Sequence, residues 1–301
     1  MIESRQDVVA NGIRHLVHRF SPTAEKRTGE HRPNLRTVVF VHGFLDAGAT
    51  VELLAKPLVE AGYELIAPDL RGFGGSDRVP VGGYYHFADY IADIDDLIDT
   101  LVPARGAVKP WLAVVGHSMG GTISTMWAGT RPEKLTKLAV LEGLGPPQED
   151  PAIAVDRMRG WLRDLAKVKR RPREFDGIEE AITRLAVTHP KIDRALLATR
   201  AARLVTPTPD GGVSWAHDPL HRTISPIPFQ AKTYQSFLRA IACPTLFVDG
   251  GPDGWHTPDE EERLGCIANV TRHTMPTAGH MMHWTQPAEL AAELLSFFAK
   301  D

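Results

Sequence analysis

The 301-residue chain predicts an α/β fold, an open and mostly parallel sheet of about eight strands flanked by helices, with an inserted helical lid. Three observations predict it. Short apolar, β-rich runs recur along the chain, and near-continuous apolar strands mean burial on both faces. Patterns with apolar residues at helical spacing lie between them. The alternation fails once, from about Pro146 to Gln230, over a stretch far longer than the few residues that normally join α/β elements.

The elements follow in order. Residues 8–17 read as a hairpin with an Asn11-Gly12 turn, an antiparallel edge of the sheet. Strands are expected at Thr37–His42, at Tyr63–Ala67 (ended by Pro68), at Trp111–Val115 (ended by Gly116), at Leu138–Leu141 and at Pro244–Val248, with a strand-like segment at Val270–Met275. Helices are expected over Thr50–Glu60, with Val51, Leu54 and Leu58 on one face, and over His86–Leu101, with Ile91, Ile94, Leu97 and Ile98. The second also carries Asp89, Asp93, Asp95, Asp96 and Asp99, read as a solvated acidic face and not as a metal site. Pro287 opens a last helix that closes the chain. The domain reading is a core of residues 1–145 and 231–301 and a lid of residues 146–230. Within the lid, the basic run from Lys167 to Arg173 reads as a solvated helix face, with anion binding as the lesser alternative. Gly211-Gly212 marks a turn, and Pro219, Pro226 and Pro228 mark the exit.

Composition narrows the function classes. Apolar residues make up 43% and charged residues 24%, and the formal net charge is −3. That balance gives no electrostatic reason to expect nucleic acid or an anionic membrane as a partner. No stretch approaches the roughly 18 apolar residues needed to span a bilayer. The first residues lack a basic start followed by an apolar run, so the expected compartment is the cytoplasm. Cys243 and Cys266 do not form a disulfide framework, and neither stands beside a base in sequence.

The chemistry concentrates in three places. Gly116-His-Ser-Met-Gly-Gly121 matches G-x-S-x-G between an apolar strand and a helical pattern, which is the context that motif requires. A serine on so tight a strand-to-helix turn takes strained backbone angles, and glycines on either side let the chains pass closely. Ser118 is therefore the candidate nucleophile. His42-Gly-Phe-Leu-Asp46 follows the strand ending at Val41, so the N–H groups of Phe44 and Met119 are the candidate oxyanion donors. Gly279-His280 lies between the last strand and the last helix. A hydroxyl is a poor nucleophile at its own pKa, and His280 stands in the order expected of its base. A His280/His283 metal pair is set aside, because no cysteine or carboxylate lies close in sequence.

These motifs, with Pro68-Asp-Leu-Arg-Gly-Phe-Gly-Gly-Ser76 between the first two, resemble the α/β-hydrolase fold family over nearly the whole chain outside the lid. Trp215-Ala-His-Asp-Pro219 and Gly279-His-Met-Met-His-Trp284 are similar to its lid-bearing branch of esterases, lipases, carbon–carbon bond hydrolases and serine hydrolase-like proteins. The resemblance implies an acid that holds the histidine tautomer. Asp253, in Gly250-Gly-Pro-Asp253, matches the family's G-x-x-D pattern and is the favoured candidate. Glu142 ends the preceding strand and is the alternative, a placement similar to the haloalkane dehalogenase and coelenterazine luciferase branches. Asp249 is a third choice. Serine at 118, where dehalogenases and epoxide hydrolases of this fold use aspartate, points to acyl transfer. The expected function is hydrolysis of a carboxylic ester or related acyl substrate. Carbon–carbon hydrolysis of a diketone is the alternative within hydrolysis, and a slow-turnover small-molecule binding or signalling protein is the alternative outside it. No cofactor or metal is implied. The expected partner is a largely apolar small molecule, with the protein a monomer or homodimer.

Overall fold

The computed structural model describes residues 1–22, 36–104, 109–168 and 174–300. Two strands open the chain, β1 (Ile2–Ala10) and β2 (Ile13–Ser21), paired antiparallel with Ala10 opposite Ile13. Asn11 and Gly12 take positive φ between them, the backbone that a two-residue hairpin turn demands. Next come β3 (Arg36–Val41), α1 (Glu52–Glu60), β4 (Tyr63–Pro68), α2 (Phe87–Leu101), β5 (Leu112–His117), α3 (Met119–Thr130) and β6 (Lys137–Leu141). After a long excursion the chain returns through α7 (Ala231–Arg239), β10 (Thr245–Asp249), α8 (Glu260–Leu264), β11 (Val270–Thr274), α9 (Met282–Thr285) and α10 (Pro287–Ala299).

Eight strands form one sheet in the order β1-β2-β4-β3-β5-β6-β10-β11. The pairs β1/β2 and β2/β4 are antiparallel and all others parallel. Alternation along each strand feeds two apolar layers. Val38 and Phe40 join Leu54 and Leu58 of α1 and Leu290, Leu294 and Phe298 of α10. Val39 and Val41 join Ile94 and Leu97 of α2 and Ile123 and Trp127 of α3 on the other face. The carboxyl ends of β3, β5, β6 and β10 therefore open side by side at one rim, where open α/β sheets place their sites.

The acidic face expected on α2 holds at Asp96 and Asp99, which are exposed, and is corrected at two positions. Asp93 is buried and pairs with Arg71, and Asp95 accepts from Trp127 Nε1 (3.1 Å) and Lys134 Nζ (2.8 Å). Those carboxylates tie the helix to its neighbours, because burial makes an unpaired carboxylate too costly to keep.

The stretch between β6 and α7 holds α4 (Ala154–Lys167), α5 (Ile178–Thr188) and α6 (Arg194–Leu204). It also holds a small antiparallel sheet, β7 (Glu174–Phe175), β8 (Val205–Pro207) and β9 (Val213–Trp215), in the order β7-β9-β8. This sheet was not expected, because strands of two or three residues leave no periodic signal. Gly211, with positive φ, turns the chain between β8 and β9. Residues 169–173 of the basic run lie outside the described residues. The segment is fastened to the sheet domain at several points. Asp218 N–H donates to Gly72 O (2.7 Å), and Tyr85 OH donates to Asp218 Oδ2 (2.8 Å). Arg200, buried on α6, donates to Thr50 O (3.0 Å) and pairs with Glu52 at 2.5 Å. Leu185, Leu197 and Leu204 share a cluster with Trp284 of α9, so these apolar residues pack on the sheet domain as well as on each other. Met158 and Leu162 of α4 stay exposed.

Candidate active site

Ser118 sits on the turn between β5 and α3 with φ 52° and ψ −119°, a conformation that non-glycine residues rarely adopt. The turn survives because its neighbours have no side chains. A Cβ on Gly120 would stand 2.0 Å from Val41 O, and one on Gly121 would stand 2.7 Å from Gly143 Cα. The helix can thus begin against the end of β3, with the Ser118 hydroxyl at the sheet rim.

His280 follows β11 and reaches Ser118, its Nε2 lying 3.1 Å from Ser118 Oγ. Its Nδ1 lies 2.6 Å from Glu142 Oε2. Glu142 ends β6 with positive φ, and its side chain is 0% exposed. Its remaining acceptor capacity is met by backbone, from Gly250 N–H (2.5 Å, Oε1) and Trp255 N–H (2.8 Å, Oε2). A carboxylate holding three donors stays put, and with it the imidazole whose Nδ1–H it accepts.

Asp253, favoured from the sequence, is not at His280. Its side chain is 52% exposed and pairs with Lys191 at 2.5 Å. Asp249 faces away as well, accepting from Arg272 Nε (2.8 Å), Thr274 Oγ1 (2.8 Å) and Gly251 N–H (3.1 Å). The loop that carries Asp253 still serves the site. It supplies the two N–H groups that grip Glu142, and a Cβ on Gly254 would stand 1.9 Å from Glu142 Oε1. The G-x-x-D pattern therefore marks a loop that reaches Glu142, while its own aspartate lies away from His280.

The turn at Gly43–Phe44 meets the nucleophile directly, since a Cβ on Gly43 would stand 3.2 Å from Ser118 Cβ. His42 sets its orientation. Leu70 N–H donates to His42 Nε2 (3.0 Å), so the ring proton is on Nδ1, which donates to Gly43 O (2.8 Å). Burial lowers the pKa of this imidazole and keeps it neutral. In a planar trans peptide, C=O and N–H point opposite ways, so fixing Gly43 O also fixes Phe44 N–H. That N–H has no hydrogen-bond acceptor among the described residues. Met119 is the first residue of α3, where helix N–H groups lack intrahelical partners. Phe44's ring is half-exposed and meets Phe73 and His221 edge-on, both at 6.3 Å.

Other reactive groups are accounted for. Burial pushes the Cys243 thiol up to about 11, which makes it a poor nucleophile. His283, weighed as a metal partner of His280, instead directs Nε2 to Asp46 Oδ2 (3.1 Å). Asp46, His117 and His283 offer three buried ligand atoms within 4.8 Å of one another. Tetrahedral zinc needs edges of about 3.4 Å, so the cluster is wider than such a site, and Asp46–His283 is at hydrogen-bond distance. The hydrogen bonds of the Gly250 and Trp255 amides to Glu142 have no sequence signature.

A family model described as the alpha/beta hydrolase fold matches residues 36–287. A serine hydrolase-like protein of Danio rerio is 29% identical over 61% of this chain and 55% of its own length. A serine hydrolase-like protein of Dictyostelium discoideum is 25% identical over 87% of this chain and 74% of its own. The match thus spans only about half the length of the first of these. Among solved structures, a thioesterase domain from the curacin biosynthetic pathway superimposes with a TM-score of 0.83 at 26% identity, covering 98% of this chain and all of that one. No helix among the described residues is long and apolar enough to cross a membrane. With the eight-stranded sheet, the strained Ser118 turn and a family match over most of its length, the chain belongs to the α/β-hydrolase fold family.

Proposed function

We propose that this hydrolase is a serine hydrolase of carboxylic esters or related acyl compounds, working through Ser118, His280 and Glu142. One observation carries the reading: the unbroken chain from Ser118 Oγ to His280 Nε2 (3.1 Å) and from His280 Nδ1 to Glu142 Oε2 (2.6 Å). Ser118 Oγ attacks the substrate carbonyl carbon as its proton passes to His280 Nε2. Glu142 holds the Nδ1–H tautomer and stabilises the imidazolium that forms. The N–H groups of Phe44 and Met119 receive the negative oxygen. His280 returns the proton to the leaving alkoxide, leaving Ser118 acylated. Water, deprotonated by His280, then attacks the ester, and the acid product departs as Ser118 regains its proton.

The segment of residues 146–230 acts in this reading as a lid. Its His221 stacks on Phe73 and packs at a tilt on Tyr85, both at 3.9 Å, and reaches Phe44 beside the candidate oxyanion turn. Half-exposed Phe44 favours an apolar acyl or alcohol group. The similarity to a thioesterase domain supports acyl chemistry.

A fluorophosphonate probe and a panel of p-nitrophenyl esters test the proposal. Labelling at Ser118 and sustained turnover are expected. Folded protein that resists the probe overturns the serine mechanism. A single burst without further turnover favours a binding or signalling protein, and turnover of a diketone but no ester favours carbon–carbon hydrolysis.

A further inference from the structure

Beneath the Ser118–His280 contact lies a buried layer that the reaction steps do not use. His117 is 1% exposed and precedes the nucleophile in the chain. Its Nε2 lies 2.8 Å from the backbone O of His280. A carbonyl only accepts, so Nε2 carries the ring proton and donates it. Among the described residues, no other donor is hydrogen-bonded to that oxygen. One residue thus joins the two reacting residues, by its peptide bond to Ser118 and by the hydrogen bond of its ring to the backbone of His280.

We propose that His117 is a positioning residue, and that its hydrogen bond to the His280 carbonyl sets the distance between Ser118 Oγ and His280 Nε2. This rests on the serine hydrolase reading above. His117 is itself held on each side. Its ring lies 4.8 Å from that of His280 and 4.4 Å from that of His283. A Cβ on Gly43 would stand 2.7 Å from its Nδ1, so the oxyanion turn packs against its other edge. His283 is locked in turn by Asp46, whose Oδ1 accepts from Thr50 Oγ1 (2.7 Å) and Ala47 N–H (2.8 Å) and whose Oδ2 faces His283 Nε2. Burial, with His283 and His280 alongside, pushes the His117 pKa well down, so the ring is neutral and its single proton stays on Nε2. Its Nδ1 has no partner, a buried acceptor left unsatisfied. An apolar side chain avoids that cost but leaves the His280 carbonyl without its donor, so packing alone does not explain a histidine here.

The test compares His117→Gln with His117→Asn. Both replace the ring by a smaller amide. Only glutamine is long enough to place an N–H where Nε2 stands. The Asn variant is expected to lose about 10- to 100-fold in kcat with KM within about twofold, the scale of an ångström-sized misplacement. Fluorophosphonate labelling of Ser118 slows in parallel. The Gln variant is expected to recover both to within about threefold of wild type, at a melting temperature matching that of the Asn variant. Equal kcat in the two variants, at either level, overturns the proposal, as does a loss confined to KM. If the Asn variant does not fold, His117→Ser serves as the short comparison on the same criteria. Wild-type protein that neither turns over esters nor labels removes the functional reading and this inference with it. Wild-type turnover with equal variants removes this inference alone.

Discussion

Replacing Glu142 by glutamine isolates the acid. The carboxylate accepts three donors, Gly250 N–H on Oε1 and both Trp255 N–H and His280 Nδ1–H on Oε2. An amide has one acceptor oxygen and one NH2 group, so it cannot satisfy this set in either orientation. With its oxygen at Oε1, the NH2 confronts Trp255 N–H and drives the His280 proton to Nε2, where it blocks the base. With its oxygen at Oε2, the His280 tautomer survives but the NH2 confronts Gly250 N–H across 2.5 Å. The first orientation costs catalysis and the second costs about 1–3 kcal/mol of stability. Loss of an orienting triad carboxylate lowers turnover by about 10³- to 10⁴-fold, which is about 4–5.5 kcal/mol of barrier. Asp253→Asn is the control. That side chain is half-exposed and, among the described residues, pairs with Lys191, an interaction worth about 0–1 kcal/mol, so near-wild-type turnover is expected. Steady-state kinetics on an activated ester, with urea unfolding of each variant, read both effects. If Glu142→Gln keeps kcat within tenfold while Asp253→Asn loses it, the assignment of Glu142 is wrong.

Three further outcomes are expected. Gly254→Ala puts a methyl where Glu142 Oε1 now sits and displaces the acid; kcat drops steeply while urea unfolding registers only about 1–3 kcal/mol, and unchanged kcat refutes the close contact. Burial holds the folded-state pKa of His217 at about 4 and that of His221 at about 3, while both titrate near 6.5 when unfolded, so the unfolded chain binds more protons below that pH. Their contribution is fully present above about pH 6.5 and drains away as pH falls toward 4 and 3, at up to about 1.4 kcal/mol per unit for each; His221→Phe makes the stability–pH curve between pH 6 and 4 shallower, and an unaltered slope counts against a buried neutral ring. Arg200→Met removes a buried cation from Glu52 and Thr50 O and destabilises the protein by up to about 3–5 kcal/mol, toward the low end because Glu52 keeps Arg203; a change below 1 kcal/mol shows that the clamp adds nothing.

The sheet was legible because burial on both faces writes itself into sequence. Val38–Val41, Leu65–Ala67 and Leu138–Leu141 read as strands for the same reason that they lie in the centre, where every position must be apolar. The meeting of Ser118 and His280 was legible because strain and chain order leave marks: glycines at tight crossings, and a histidine after the last strand. The small sheet of β7, β8 and β9 was not, since two or three residues carry no period. Nor was the role of Asp93, because a carboxylate facing a buried Arg71 looks the same in sequence as one facing water.

The position of Asp253 away from His280 has a physical reason of the same kind. β6 and β10 are neighbours in the sheet, with Leu141 beside Val248, so carboxylates at either strand end start close to His280. Position alone therefore leaves the choice open. It is decided by where a carboxylate finds donors, since a buried charge without them is untenable. Asp249 finds Arg272 and Thr274, Asp253 finds Lys191 and solvent, and Glu142 finds two backbone amides beside the imidazole. Every residue but proline owns such an amide, so the deciding groups are invisible in sequence. What sequence does record is the space around them. A Cβ on Gly254 would strike Glu142 Oε1 at 1.9 Å, and one on Gly250 would strike Gly279 O at 2.2 Å, the backbone next to His280. Gly254, not the aspartate before it, is the residue of the loop after β10 whose identity records the Glu142 carboxylate.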